Sequence, residues 1–195
     1  MDCYTSLAGG YDSLTEDVQY EKRAAFLQKL LAKSTIPVHT VLDLACGTGT
    51  MTCLLAEAGY EMIGVDLSED MLSEAAGKTV TPGKIPPIYL QQSMEELDLY
   101  GTVEAAVCCL DSINYLTDAR ALKRALQRLH LFVAPGGVFL FDVNTPCKLR
   151  SLDGQVFLDE REDLYCVWRA DFDRRSRICT YGMDIFERQG TLWRR

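Results

Sequence analysis

The sequence predicts an α/β fold: a Rossmann-like three-layer sandwich with a mostly parallel sheet, followed by a set of antiparallel strands. Three observations carry this. Short apolar runs alternate with amphipathic stretches between residues 40 and 141, the pattern of strands buried on both faces and connected by helices. A glycine turn, Cys46-Gly47-Thr48-Gly49, follows the first of those runs. After residue 150 the chain changes to segments rich in Val, Ile, Phe, Tyr, Trp and Thr separated by turn residues, which is antiparallel patterning.

Bulk properties bound the answer. A chain of 195 residues, 48% hydrophobic, buries one substantial core and is not disordered. Its net charge of -8, from 20 Lys and Arg against 28 Asp and Glu, argues against a nucleic-acid partner held by phosphate neutralisation. No signal peptide opens the chain and no apolar run approaches 18 residues, so a cytoplasmic protein without a membrane partner is expected. The eight cysteines form no C-x-x-C pair and have only His39 and His130 beside them, which speaks against a metal site. Cys53, Cys108 and Cys109 sit in apolar runs and read as small core residues.

The elements follow in order. An N-terminal stretch holding Tyr4, Leu7, Ala8, Tyr11 and Leu14 leads into a helix from Glu16 to Lys33, with Val18, Phe26, Leu27, Leu30 and Leu31 on its apolar stripe. Pro37 ends that region, and Thr40–Leu44 is a buried strand. A helix over Thr50–Ala58 stops at Gly59. Met62–Val65 is the second strand, and Ser68 caps the next helix, with Glu69 and Asp70 in its first turn. The proline-containing stretch 79–87 is a connector to a third strand at Ile88–Leu90; Val103–Leu110 is the fourth. Asp118–His130 is an amphipathic helix with Leu122, Ala125, Leu126 and Leu129 on one side. Pro135-Gly136-Gly137 turns the chain into a fifth strand, Val138–Phe141. Beyond it, Gln155–Leu158, Leu164–Ala170 and Ile178–Phe186 are the antiparallel strands, with a turn at Asp171–Ser176.

Ligands of such sheets bind beyond the carboxyl ends of the strands. That edge holds Asp43, Asp66, Asp111, Asp142 and Asn144. Gly47 and Gly49 permit a tight turn and close backbone approach to a ligand at the start of the following helix. Asp66, at the end of the second strand, is placed to accept from the two ribose hydroxyls of a nucleoside. A dinucleotide fingerprint requires a third glycine where this chain has Thr52, and a P-loop requires a G-K-[ST] sequence that is absent. Asp43, just ahead of the turn, suits a ligand with an amino group better than one with a pyrophosphate.

The segments Asp43-Leu44-Ala45-Cys46-Gly47-Thr48-Gly49, Gly64-Val65-Asp66-Leu67-Ser68 and Met71-Leu72 resemble motif I and the acidic second-strand end of class I S-adenosylmethionine-dependent methyltransferases. The likeness continues through Leu110–Leu116, Pro135-Gly136-Gly137 and Phe141–Thr145. With Tyr11-Asp12, these segments look like a bacterial subgroup of small, mostly uncharacterised members, over roughly residues 4 to 193.

The resemblance implies S-adenosylmethionine as cofactor and a small molecule as methyl acceptor. It implies that Gly47 and Gly49 face the methionine part, that Asp66 holds the ribose and that Met94 borders the adenine. Asp43, Ala45, Leu67 and Leu110 join this cofactor set, and Tyr11 closes over it. Ser93 stands where the wider family often has an acid for the adenine amino group; its hydroxyl also accepts, more weakly. Asp111, Asn114 and Tyr115 are the candidates for the catalytic and acceptor face, since methyl transfer needs alignment and exclusion of water rather than a dedicated nucleophile. Local turn capping is the competing reading of Asp111 and Asn114, and packing that of Tyr11.

The domain layout implied is one methyltransferase domain over 1–195, with a helical cover at 1–35, a cofactor-binding core at 36–145 and a substrate-cover excursion at 150–193. Trp168 and Tyr181 are candidates for lining an acceptor pocket. Family members normally continue into a further helix and a final strand pair, so the chain is expected to be C-terminally truncated, with an uncovered sheet edge that invites a homodimer. Two other readings stay open: a non-catalytic S-adenosylmethionine-binding or interaction protein, and another adenosyl-cofactor transferase.

Overall fold

The computed structural model describes residues 7–195, which form two compact units, one ending at Val143 and the other spanning Asn144–Arg195. Cys3 and Tyr4 lie outside the described residues.

In the first unit, five strands make one parallel sheet in the order β3-β2-β1-β4-β5: β1 Thr40–Leu44, β2 Glu61–Asp66, β3 Ile88–Gln91, β4 Val103–Cys108 and β5 Val133–Phe141. The strands read as continuous apolar runs because both faces are covered. Val41, Ala105 and Val107 pack with Ala24, Leu27 and Leu31 of helix α2 (Tyr20–Leu31) and Met51 and Leu55 of α3 (Thr50–Glu57). On the opposite face Leu42, Leu44, Ala106 and Cys108 pack with Leu129 of α5 (Ala119–Phe132). Strand order reverses between β1 and β4, and that switch point opens a crevice at their carboxyl ends.

Local sequence explains the element ends. The Ser68 hydroxyl accepts from Met71 N and caps α4 (Glu69–Gly77); an Asp118 carboxylate oxygen accepts from Ala121 N and caps α5. The fourth strand stops at Cys108, short of the expected Leu110, because Leu110 and Asp111 adopt φ of +56° and +51°.

The expected helix from Glu16 to Lys33 is divided. Helix α1 occupies Ala8–Leu14, a 3-10 turn spans Glu16–Val18, and Gln19 at φ +56° separates that turn from α2. A left-handed residue cannot continue a right-handed helix. The buried stripe of α2 is Ala24, Leu27 and Leu31; Phe26 points away and is 60% exposed. Leu126 is likewise exposed at 43% while Ala125 and Leu129 of α5 are buried. Pro135-Gly136-Gly137 does not precede the fifth strand but forms a bulge within it, where pairing jumps from Val103↔Val133 to Ala105↔Val138. A bulge in an outer strand tolerates proline, and a Cβ on Gly137 would stand 2.5 Å from Glu104 O.

In the second unit, α6 (Pro146–Ser151) is capped by Thr145 Oγ1, which accepts from Lys148 N. Four antiparallel strands follow in the order β6-β7-β8-β9: Val156–Glu160, Leu164–Asp173, Ile178–Gln189 and Leu192–Arg194. The β7–β8 turn is tied by Asp173, whose carboxylate accepts from Arg175 N at 2.8 Å and the Ser176 hydroxyl at 2.7 Å. Alternation places Leu164, Cys166, Ala170 and Phe172 on the buried face. Trp168 stands between Phe157 and Met183 across the sheet, and the final strand was not foreseen.

Among the described residues, no helix is long and apolar enough to cross a membrane.

Candidate active site

The crevice at the ends of β1, β2 and β4 deepens into a cavity of about 410 Å³, within the range of small-molecule sites. Its walls begin with the turn after β1. Ala45 has φ +62°, Gly47 +54° and Gly49 +73°, so the chain coils tightly from strand into helix. For Ala45 this conformation costs about 1–3 kcal/mol. No atom lies within 4 Å of where a Cβ on Gly47 would stand, so that side of the turn is open to a ligand.

The turn is held by Asp66. Its Oδ2 accepts from Gly47 N at 2.8 Å and its Oδ1 from Ser68 N at 2.9 Å. A carboxylate has about four acceptor positions. Two are used by backbone, and the residue lines the cavity.

Asp43 is 1% exposed and accepts from Thr52 Oγ1 at 2.6 Å. Burial pushes its carboxyl up to about 6; the Thr52 bond opposes this and neighbouring Asp66 adds to it. Thr52, at the position where a dinucleotide site carries glycine, thus supports the acid beneath the turn.

Of the residues expected at the site, Tyr11, Asp43, Ala45, Gly47, Asp66 and Leu67 line the cavity. Ser93, Met94, Leu110 and Tyr115 complete that group. Gly49 does not line it: a Cβ there would stand 2.6 Å from the Tyr89 hydroxyl and 2.9 Å from Ala75 Cβ, so this glycine allows close packing behind the turn. Asp111 and Asn114 are also off the lining, although Leu110, Ser112 and Tyr115 beside them are on it. Asp111 N donates to Asp142 Oδ1 at 3.1 Å, and Asp142 Oδ2 lies 3.5 Å from Arg23 Nη1.

Sequence reasoning missed several wall residues, among them Tyr20, Cys46, Thr48 and Thr50. The threonines flanking Gly49 carried a usable signal, because hydroxyls beside a glycine turn readily take part in its bonding. Tyr20 carried none; it reaches the cavity only because the helix restarts after Gln19.

Three acids, Asp43, Asp66 and Glu95, line the cavity, and none of its lining residues is Lys, Arg or His. Burial pushes the Tyr11 phenol and the Cys46 and Cys109 thiols well above their ordinary values. They are neutral at physiological pH and supply no thiolate nucleophile. Among the described residues no cluster fit to hold a metal ion is present. The site offers carboxylates on its wall and a partly apolar enclosure.

A family model described as a methyltransferase domain matches residues 41–137. The Bacillus subtilis (strain 168) protein named "Putative methyltransferase YqeM" is 31% identical over 98% of this chain and 76% of its own length. An S-adenosylmethionine-dependent methyltransferase from Clostridium acetobutylicum ATCC 824 shares 30% identity and superposes with a TM-score of 0.83, covering 99% of this chain and 78% of that one. The sugar N-methyltransferase KedS8 from Streptoalloteichus sp ATCC 53650 shares the fold at 24% identity and a TM-score of 0.78, over 94% of this chain and 74% of its own. The chain belongs to the class I S-adenosylmethionine-dependent methyltransferases, with S-adenosylmethionine as cofactor and a small molecule as methyl acceptor.

Proposed function

We propose a division of labour within this cavity. The observation that carries it is the Asp66 carboxylate, anchored by two backbone N–H groups with acceptor positions to spare. Asp66 accepts from the ribose hydroxyls, and the open side of Gly47 with the Ala45 backbone receives the methionine part. Asp43 beneath the turn favours the cationic amino group there. Leu67, which is exposed at the cavity mouth, and Met94 flank the adenine. Ser93 donates its hydroxyl proton to Glu96 Oε2 at 3.2 Å, which leaves its lone pairs to accept from the adenine amino group. Gly49 shapes the turn from behind.

S-adenosylmethionine, when bound, supplies a methyl group on a positively charged sulfur, ready for in-line displacement. The protein's part is to align the acceptor and exclude water. Tyr11 and Leu110 border that end of the cavity, and Tyr115, with Asp111 and Asn114 in the same turn, orients the acceptor. The acidic lining without a basic residue selects a neutral or cationic acceptor over a phosphate or nucleic acid. Methyl transfer from labelled cofactor to matched panels of amines, alcohols, carboxylates, phosphates and nucleic acid tests this. Turnover confined to the amines and alcohols is expected; turnover of phosphates or nucleic acid contradicts it.

The seven described cysteines are all free, which suits a reducing compartment such as the cytoplasm. Outer strand β5, with Phe141 53% exposed, is the edge along which a second copy would pair. Solution mass over a concentration series tests this, and a monomer throughout contradicts it.

A further inference from the structure

Asp12 belongs to the Tyr11-Asp12 pair noted in the sequence, yet it is not on the cavity lining. Its carboxylate instead gathers three donors from other elements. Oδ1 accepts from Thr48 Oγ1 at 2.6 Å and from Thr50 Oγ1 at 3.2 Å. Oδ2 stands 2.6 Å from Lys78 Nζ, which also donates to Thr50 Oγ1 at 2.6 Å. Thr48 and Thr50 flank Gly49 and line the cavity; Lys78 directly follows α4.

The helix these bonds hold is α1. At seven residues, without a side-chain cap, it is too short to persist alone. Burial of Leu7, Ala8 and Leu14 seats it, while apolar contact alone leaves its register loosely specified. The Asp12 bonds fix that register and bring neighbouring Tyr11 to the cavity wall. Burial pushes the Asp12 carboxyl up, but the bonds from Lys78, Thr48 and Thr50 outweigh this and hold it below the ordinary value. The cluster is therefore charge-assisted at neutral pH.

We infer that Asp12 and Lys78 are a positioning pair for the methyl-transfer reaction: they fasten α1 to the Gly47–Gly49 turn, so that Tyr11 covers the bound cofactor and Thr48 and Thr50 keep one orientation. The inference rests on the cofactor occupying this cavity. It assigns the pair no contact with reacting atoms.

Calorimetric titration of the full chain with S-adenosylmethionine and its demethylated product, on wild type, Asp12→Asn, Lys78→Met, the double variant and Lys78→Arg, tests the pair. Hydrogen exchange of residues 7–14 is read in parallel. Each disruptive single variant is expected to weaken binding about three- to tenfold, and the double variant no further, because one coupled pair is lost once. Lys78→Arg should restore affinity to within about twofold, since it keeps the charge. Exchange of 7–14 should quicken in the disruptive variants, with their global melting preserved. Wild-type affinity in both singles, or independent losses that multiply in the double variant, overturns the inference; should Asp12→Asn fail to fold, Lys78→Met decides alone. Failure of wild type to bind at all is a different result, which overturns the cofactor reading and takes this inference with it.

Discussion

Asp66 Oδ2 accepts the backbone N–H of Gly47 at 2.8 Å, joining the end of β2 to the turn that follows β1. One carboxylate thereby both shapes the turn and faces the cavity. Asp66→Asn keeps its size but loses the charge and puts an amide N–H within reach of a backbone donor. It should cost about 1–3 kcal/mol of folding stability, read from denaturant midpoints, and loosen the Gly47 amide to hydrogen exchange.

Gly47 and Gly49 should separate under the same substitution. Gly49→Ala meets Tyr89 and Ala75 and a strained φ, so it should destabilise the fold by about 2–4 kcal/mol. Gly47→Ala meets no atom within 4 Å and should cost only about 1–2 kcal/mol in backbone strain, while impairing cofactor binding more than its stability loss explains. Thermal melts and titrations on both variants distinguish packing from ligand contact.

Asp43 gives the protein a pH signature. Its folded-state carboxyl titrates at about 6, above the unfolded value of 3.8, because it is buried. Between these values the folded state holds more protons than the unfolded state, so this contribution to stability is complete below about pH 4 and is lost as pH rises through 6. Asp43→Asn should flatten that stretch of the stability curve. Melting temperatures from pH 4 to 8 check it; parallel curves for the two proteins contradict it.

Asp142 should act on turnover rather than cofactor affinity. Its carboxylate accepts from Asp111 N and faces Arg23, steadying the positive-φ turn beside Tyr115. Asp142→Ala should lower kcat about ten- to a hundredfold through misplacement of the acceptor, with cofactor Kd changed less than about twofold. Equal losses in both would place Asp142 in general folding instead.

The parts legible in sequence are those where one local rule dominates. Thr40–Leu44 reads as a buried strand and is β1, and Ser68 reads as a cap and accepts from Met71 N. The parts that escaped depend on tertiary context. Gln19 at positive φ breaks a helix whose apolar spacing runs on, and the Pro135-Gly136-Gly137 bulge mimics a turn. At the site, Asp43, Gly47 and Asp66 were legible on the cavity wall because topology puts strand ends together. Tyr20 and the Asp12–Lys78 pair were not, since nothing in their spacing reveals that α1, α2 and the end of α4 converge on one turn.

S-adenosylmethionine is proposed to bind in the cavity edged by Gly47 and Asp66. Calorimetric titration of wild type and Asp66→Ala with the cofactor tests it most directly. Saturable one-site binding by wild type is expected, with a loss of about 1–3 kcal/mol in the variant from the missing charge-assisted ribose bonds. No saturable heat with folded wild type, or equal affinity in the two proteins, would contradict it.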